Sequence, residues 1–512
     1  MSAEKAVRMV EITKTFGDVE ANRNITLEID EGEILSLLGE NGSGKTTLMN
    51  MLSGIYLPDS GEIYVNGVNV RIASPGDAIK LGIGMIHQHF KLVDVFTAAE
   101  NVVLGLHGKR LTDLKAVAAR IREICGRYGF VVDPNKKVYD MSVSERQTLE
   151  IVKVLYRGAD ILILDEPTAV LTPQETEMLF SVMRNMREDG KSIVIITHKL
   201  YEVMEISDRI AVLRKGEYIG DVATENTNPL QLTEMMVGRS VSLNIDRDDP
   251  VNAAERLVVD NLCVVDADGI RRLDQVSFTA YAGEILGIAG ITGSGQKELL
   301  EAIAGLQAGA QGSIGFIPQG ADAQEELIGK SPIAIKQMGV GLAFVPEDRL
   351  GMGLVGSMHI PDNMMLRSYR FGHSIFTDRK NPHRLAQTVV KELGVDTPGF
   401  STPVRRLSGG NVQKVLVGRE IASSPSLLMT AYAVRGLDIN TSYTIYRLLN
   451  EQKKNGVAVI YVGEDLDVLF ELCDRILVLC AGRVSGIVDA RTATKEDVGL
   501  LMSRSVQGEA LQ

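Results

Sequence analysis

The stretch Gly39-Glu40-Asn41-Gly42-Ser43-Gly44-Lys45-Thr46 sets glycines, a lysine and a hydroxyl at the spacing G-x-x-x-x-G-K-S/T. Each residue type has a task on a phosphate chain. Glycines let the backbone turn so that successive N–H groups face phosphate oxygens, at a helix amino terminus that already favours anions. Lys45 then reaches the β- and γ-phosphates, and the Thr46 hydroxyl holds Mg²⁺. The strand-like ILSLL precedes the motif and the helix-like TTLMNML follows it. A chance match is expected in about 2 of 100 chains of this length, so the pattern points to a nucleoside triphosphate.

Three further positions narrow the chemistry. Ile161-Leu162-Ile163-Leu164-Asp165-Glu166 is an apolar strand ending in two carboxylates. Asp165 suits the Mg²⁺ shell, and Glu166 suits polarising a water for in-line attack on the γ-phosphate. His198 follows the strand-like IVIIT, at the carboxyl end where open α/β sheets bind ligands. Gln88 follows GIGMIH, placed to touch both metal and attacking water. A lone histidine is more often structural; the shared order of all four features favours a phosphate sensor.

The elements that must carry these residues occur twice. EGEILSLLGENGSGKTTLMNMLSG from Glu31 is echoed by AGEILGIAGITGSGQKELLEAIAG from Ala282, an offset of 251. ISDRIAVL from Ile206 is echoed by LCDRILVL from Leu472, an offset of 266, and GRSVSL from Gly238 by SRSVQG from Ser503. The second copy thus carries fifteen extra residues, much of them expected in the Gly/Ala/Gln-rich stretch after Leu306. Polar NIDRDDPVNAAE reads as a linker over 243–255. Domains over 1–242 and 256–512 follow. Within each, short β-branched or Leu-rich runs alternate with helical patterns, as in a buried parallel sheet of an α/β fold. In TDLKAVAARIREICGRYG, residues Leu114, Val117, Ala118, Ile121, Ile124 and Cys125 fall at helical spacing as a packing face.

Composition sets the outer bounds. The 512 residues carry a formal charge of −12 and 45% hydrophobic residues. The charge argues against nucleic acid as a partner, which needs a basic face. No apolar run approaches the eighteen or so residues of a membrane span, and the amino terminus lacks a signal-peptide pattern. The four cysteines form no C-x-x-C pair, so no zinc site or disulfide framework is indicated. The chain reads as cytosolic.

Taken together, these residues resemble the ATP-binding cassette family, over nearly the whole chain, twice. The resemblance implies two tandem P-loop ATPase domains, each with a mainly parallel sheet, an antiparallel β part and a helical subdomain. It assigns ATP and Mg²⁺ as cofactors. The P-loop is 39–46, with Thr47 also against the nucleotide; Gln88 is the Q-loop residue. Asp165 joins Thr46 and Gln88 around the metal, Glu166 is the general base and His198 the switch. Phe16 fits the aromatic that stacks on adenine. The family signature L-S-G-G-Q appears as Leu407-Ser408-Gly409-Gly410-Asn411 in the second copy. The first copy has Met141-Ser142-Val143-Ser144-Glu145, with both glycines gone.

The second copy lacks the matching chemistry. Gln296 and Lys297 stand for Lys45 and Thr46, Ala431 and Tyr432 for Asp165 and Glu166, Glu464 for His198 and Glu347 for Gln88. Lys297, one position late, is a partial stand-in for the missing lysine. No Tyr or Phe lies between Leu257 and Ser277 to hold adenine. Cassettes of the family pair head to tail, each signature capping the other's P-loop. Ser408, Gly409 and Gly410 would then complete the intact site, and the damaged P-loop would face the damaged signature.

Two fused cassettes with no membrane span resemble the ATPase subunit of a bacterial importer for nucleosides or monosaccharides. That implies a place at the cytoplasmic face of the membrane, with integral-membrane permease subunits and, indirectly, an extracytoplasmic substrate-binding lipoprotein. IHQHFKLVDVFTAAENVVLG and the loss of both second-copy acids resemble the nucleoside branch; AVLTPQE, with Thr172, occurs in both branches. The alternatives are a ribose- or galactose-type importer and a soluble tandem cassette acting on ribosomes or DNA. The charge disfavours the last.

Overall fold

The computed structural model describes residues 5–503, except 88–89, 107–112, 170, 239–244, 246, 251–253, 267, 292, 308, 322, 345–352, 367, 370–376, 422–424, 436 and 464. The chain divides into two compact units, Met1–Ser242 and Leu243–Gln512.

The first unit is built on a six-stranded sheet in the order Glu217–Ala223, Arg209–Arg214, Ile34–Leu38, Ser192–Ile196, Ile161–Asp165, Ile83–Ile86. Only the first two neighbours are antiparallel. The strands Ile34–Leu38, Ile161–Asp165 and Ser192–Ile196 are buried at every residue, as parallel strands covered on both faces must be. A four-stranded antiparallel sheet, ordered Val19–Asp30, Lys5–Phe16, Ser60–Val65, Val68–Val70, shares its core with one face. The helices Ala98–Val103, Leu114–Tyr128 and Val143–Tyr156 share theirs with the other. Of the stripe expected on Leu114–Tyr128, all but Leu114 is buried. Leu114 begins the helix and is exposed.

The second unit repeats this order. Its parallel sheet runs Val340–Phe344, Leu427–Ala431, Ala458–Val462, Ile285–Ala289, Arg475–Cys480, Arg483–Asp489, with only the last pair antiparallel. The repeated D-R-I motif is structural. Asp208 accepts from the Ile34 N–H (2.8 Å) and Asp474 from the Ile285 N–H (2.9 Å), fastening the start of each P-loop strand to its neighbour. The adjacent arginines, Arg209 and Arg475, each bond the glutamate before that strand, Glu33 and Glu284, at 2.7 Å. A second pair is legible only in the structure. Asn101 and Asn363, both fully buried, accept from the N–H of Val93 and Val355 and donate to nearby carbonyls.

The extra residues of the second copy enter in three places. Serines 74 and 331 cap matching helices at an offset of 257, whereas Ser60–Val65 and Gln311–Phe316 keep 251. Six of the fifteen therefore lie in the Gly/Ala/Gln-rich stretch, all beyond Phe316 in the turn before Glu325. The offset is 262 at Asn101 and Asn363 and 266 at the helix caps Ser142 and Ser408. The remaining nine thus fall in and after the segment following Phe344, not near Leu306.

Within the expected linker, Arg247 donates to the carbonyls of Phe470 (2.7 Å) and Cys473 (2.5 Å), and Lys453 donates to Asp248 O (2.6 Å). Ile245 packs against the second unit's core. These described residues are fastened to that unit rather than running free.

Candidate functional site

In the first unit, the loop after Ile34–Leu38 wraps the start of the helix Lys45–Leu52. Gly44 takes a left-handed conformation (φ 96°), and a Cβ there would lie 2.3 Å from Ala21 O. Only glycine fits both demands. Lys45 is buried, and its Nζ donates back to Gly39 O (2.7 Å) and Glu40 O (3.0 Å). Burial pushes its pKa below the usual lysine value, against the pull of Glu166, Asp165 and Glu40. The ammonium is thus partly desolvated and aimed into the loop. The Ser43 hydroxyl is buried without a hydrogen-bond partner among the described residues. A buried donor in that state fits a ligand oxygen.

Asp165 ends the neighbouring strand, and the Thr46 hydroxyl donates to it at 3.2 Å. Burial raises the Asp165 pKa to about 6, despite that hydrogen bond and Lys45. A hydroxyl and a costly carboxylate converging on one point suit a hard divalent cation, which prefers oxygen ligands. Glu166 sits one residue later in a left-handed conformation (φ 49°), its N–H bonded to Ile196 O at 2.8 Å. This turns its carboxylate toward His198, whose Nδ1 lies 3.0 Å from Glu166 Oε1. The His198 contact is the main cause holding the Glu166 pKa below the ordinary glutamate value, with Lys45 and Lys199 assisting against burial. Lys45, Thr46, Asp165, Glu166 and His198 thus come together at the carboxyl ends of three adjacent strands. Thr47 lies in the first turn of the same helix. Gln88 lies outside the described residues, as do the second copy's Glu347 and Glu464.

Phe16 ends its strand 42% exposed, so it is no core residue. Tyr56 stands edge-on to it, ring centroids 5.2 Å apart. Lys14, bonded to Asp59 at 2.7 Å, lies 5.4 Å from the Phe16 ring centre. An exposed ring braced from the side offers a free face to a planar base. Tyr56 had no sequence signal of its own; in the second copy its place is taken by Gln307.

In the second unit the loop keeps its turns and loses its charge. Gly293 and Gly295 have φ of 89° and 101°, and Gln296 is buried, donating to Ile291 O at 3.2 Å. Lys297 holds the helix position of Thr46, not that of Lys45, and its half-exposed side chain reaches along the helix to Glu301 (3.7 Å). Ala431 is buried where Asp165 stood.

The two signature helices differ at their amino ends. Ser142 caps Val143–Tyr156 in a capping box with Glu145: its hydroxyl accepts from the Glu145 N–H (3.2 Å), and Glu145 accepts from the Ser142 N–H (2.7 Å). Lys136 holds the same carboxylate at 2.7 Å. This helix end is already satisfied by its own anion. Gly409–Ile421 has no acidic residue in its first turn. Ser408 accepts there from Asn411 (2.9 Å), and a Cβ on Gly410 would meet nothing within 4 Å. Ser408 also accepts from the Asn411 N–H (3.4 Å), so this end is capped by a neutral hydroxyl and carries no anion of its own. That leaves the positive end of the helix available to an external one.

The family model described as ABC transporter matches residues 22–169 and 273–430. The chain is 43% identical to the guanosine import ATP-binding protein of Bacillus subtilis, over 99% of each chain. It is 41% identical to the nucleoside import ATP-binding protein of Lactococcus lactis, over 98% of this chain and 99% of that one. A ribose import ATP-binding protein of Streptomyces avermitilis is 38% identical, over 97% and 93%. Among the described residues, no helix is long and apolar enough to cross a membrane.

Proposed function

Since the chain belongs to the ABC transporter family, we propose that it is the ATP-hydrolysing subunit of a nucleoside importer, working from its first unit's site. The observation that carries the ATPase reading is the convergence of Lys45, Thr46, Asp165, Glu166 and His198. For the cargo, the support is that relatives named for guanosine and nucleoside import match this chain end to end.

Adenine stacks on Phe16, the loop 39–46 cradles the phosphates, and Lys45 gives up its carbonyl contacts for the β- and γ-oxygens. Thr46 and Asp165, with Gln88, would hold Mg²⁺, which when bound neutralises charge on those oxygens. Glu166 takes a proton from the water as that oxygen bonds the γ-phosphorus and the bond to the β,γ-bridging oxygen breaks, releasing ADP and phosphate. His198, hydrogen-bonded to Glu166, orients the carboxylate and meets the γ-phosphate. The anion-free helix end of Ser408, Gly409 and Gly410 supplies the remaining donors in a head-to-tail pair of the two units. The self-capped helix of Ser142 and Glu145 is left to the inactive site. Integral-membrane permeases and, through them, an external binding protein are the partners, at the cytoplasmic face of the membrane.

Uptake of labelled nucleosides and sugars by cells carrying wild-type protein or Lys45→Ala tests this reading. Nucleoside uptake should be lost with Lys45→Ala. Lysine-dependent uptake of ribose but not nucleosides would move the cargo to the sugar branch, and uptake indifferent to Lys45 would remove the ATPase reading.

A further inference from the structure

Lys199 follows His198 and precedes the helix Leu200–Ile206. Its ammonium does not run out to solvent. It donates to Thr168 O (3.2 Å), Thr168 Oγ1 (3.3 Å) and Glu202 Oε1 (2.8 Å). The Thr168 hydroxyl donates to the other Glu202 oxygen at 2.5 Å. Thr168 is buried, two residues beyond Glu166. The three side chains therefore close a ring between the loop that carries Glu166 and the turn that carries His198.

That ring lies on one side of the Glu166–His198 contact. On the other side the same two segments are joined by the main-chain bond from Glu166 N–H to Ile196 O. The pair is thus held from both ends. We infer that Lys199, Thr168 and Glu202 form a clasp that positions the Glu166 carboxylate against His198 for the attack on ATP. The second unit supplies the contrast. Its main-chain bond persists, from Tyr432 N–H to Val462 O at 3.0 Å. The clasp positions are Val434, Asp465 and Val468, which cannot rebuild it, and there the acid is gone as well. A merely structural brace would serve either unit equally; this one accompanies the acid.

A positioning residue acts on the geometry of the transition state, where a displacement of about an ångström costs up to a hundredfold. The inference rests on Glu166 being the base, so the test on the full chain includes Glu166→Gln. Lys199→Met should lower kcat for phosphate release about tenfold or more with KM for ATP within twofold. Lys199→Arg, which retains donors to Thr168 and Glu202, should recover most of the rate. Glu202→Gln combined with Lys199→Met should cost no more than the worse single change, as parts of one unit do. If Glu166→Gln abolishes turnover while Lys199→Met leaves kcat intact, the clasp is wrong and the base stands. If Glu166→Gln itself turns over normally, the site reading fails instead. A Lys199→Met protein that loses its melting transition shifts the decision to Lys199→Arg and Thr168→Ser. Rates near wild type in both uphold the clasp, and a tenfold loss in Lys199→Arg without lowered Tm sinks it.

Discussion

The two P-loops have nearly the same backbone and opposite chemistry. Gly42 and Gly44 have φ of 81° and 96°; Gly293 and Gly295 have 89° and 101°. Even the left-handed turn that aims Glu166 (φ 49°) survives at Tyr432 (φ 55°), with the same hydrogen bond to the next strand. Such a conformation costs about 1–3 kcal/mol at a non-glycine residue, yet it persists where no carboxylate is left to aim. The packed sheet imposes the backbone, because Ile34–Leu38 and Ile285–Ala289 lie in the same strand order between buried neighbours. Side chains at the loop are under no such constraint. Shape is therefore a poor guide to which site works, and residue type is the better one.

The largest test of that contrast is a pair of single substitutions. Glu166→Gln should cut steady-state phosphate release by at least about a hundredfold, since a preorganised catalytic group is worth about 3–4 kcal/mol. Gln296→Ala should change it less than twofold. A comparable loss from Gln296→Ala would mean that both loops are catalytic, and the asymmetry would fall.

A second effect concerns stability. Asp165 has its folded pKa raised to about 6 against an ordinary 3.8. A raised carboxyl pKa favours folding below the unfolded value and loses that contribution as pH climbs through the folded value. At pH 8 without divalent cation, the charged Asp165 should cost about 3 kcal/mol. Asp165→Asn should therefore raise the denaturation midpoint at pH 8, with the gain vanishing near pH 4, while abolishing hydrolysis. Ala431 already lacks this burden. Equal stability of wild type and Asp165→Asn at pH 8 would show that the first site carries no such cost.

The motif spacing made the acids, the lysine and the histidine legible, because phosphate chemistry tolerates few substitutes at those positions. The alternation of buried strands with helices followed from the β-branched runs, and its doubling from the repeat, whereas the order of strands in each sheet came only from the structure. What escaped was whatever depends on three-dimensional neighbours. Tyr56 braces Phe16 from forty residues away, Glu202 meets Thr168 across 34, and Asn101 and Asn363 hold their loops from inside unremarkable helices. Lys297 lies next to Lys45's place in the sequence, but nearness along a helix does not give a side chain its neighbour's direction, and its contact is Glu301. The fifteen extra residues were placed too early because composition marks a turn but not its length.

The smallest effects come from exchanging the two signature helix ends. Asn411→Glu would recreate in the second unit the capping box that Ser142 and Glu145 form in the first. Its carboxylate would reach back to the Ser408 N–H and put a negative charge where the γ-phosphate is proposed to sit. About a tenfold fall in turnover is expected, from repulsion of about 1–2 kcal/mol at a solvent-screened distance. Asn411→Gln, uncharged and of similar length, should keep most of the rate. The converse change, Glu145→Gln, removes an anion from a helix end that needs one. It should leave turnover unchanged and cost about 1 kcal/mol of stability through the weakened cap and the lost Lys136 pair, read as a fall of about 2–4 °C in Tm. If Glu145→Gln instead raised turnover, the first signature would be an inhibited participant in catalysis, and the division of labour between the units would have to be redrawn.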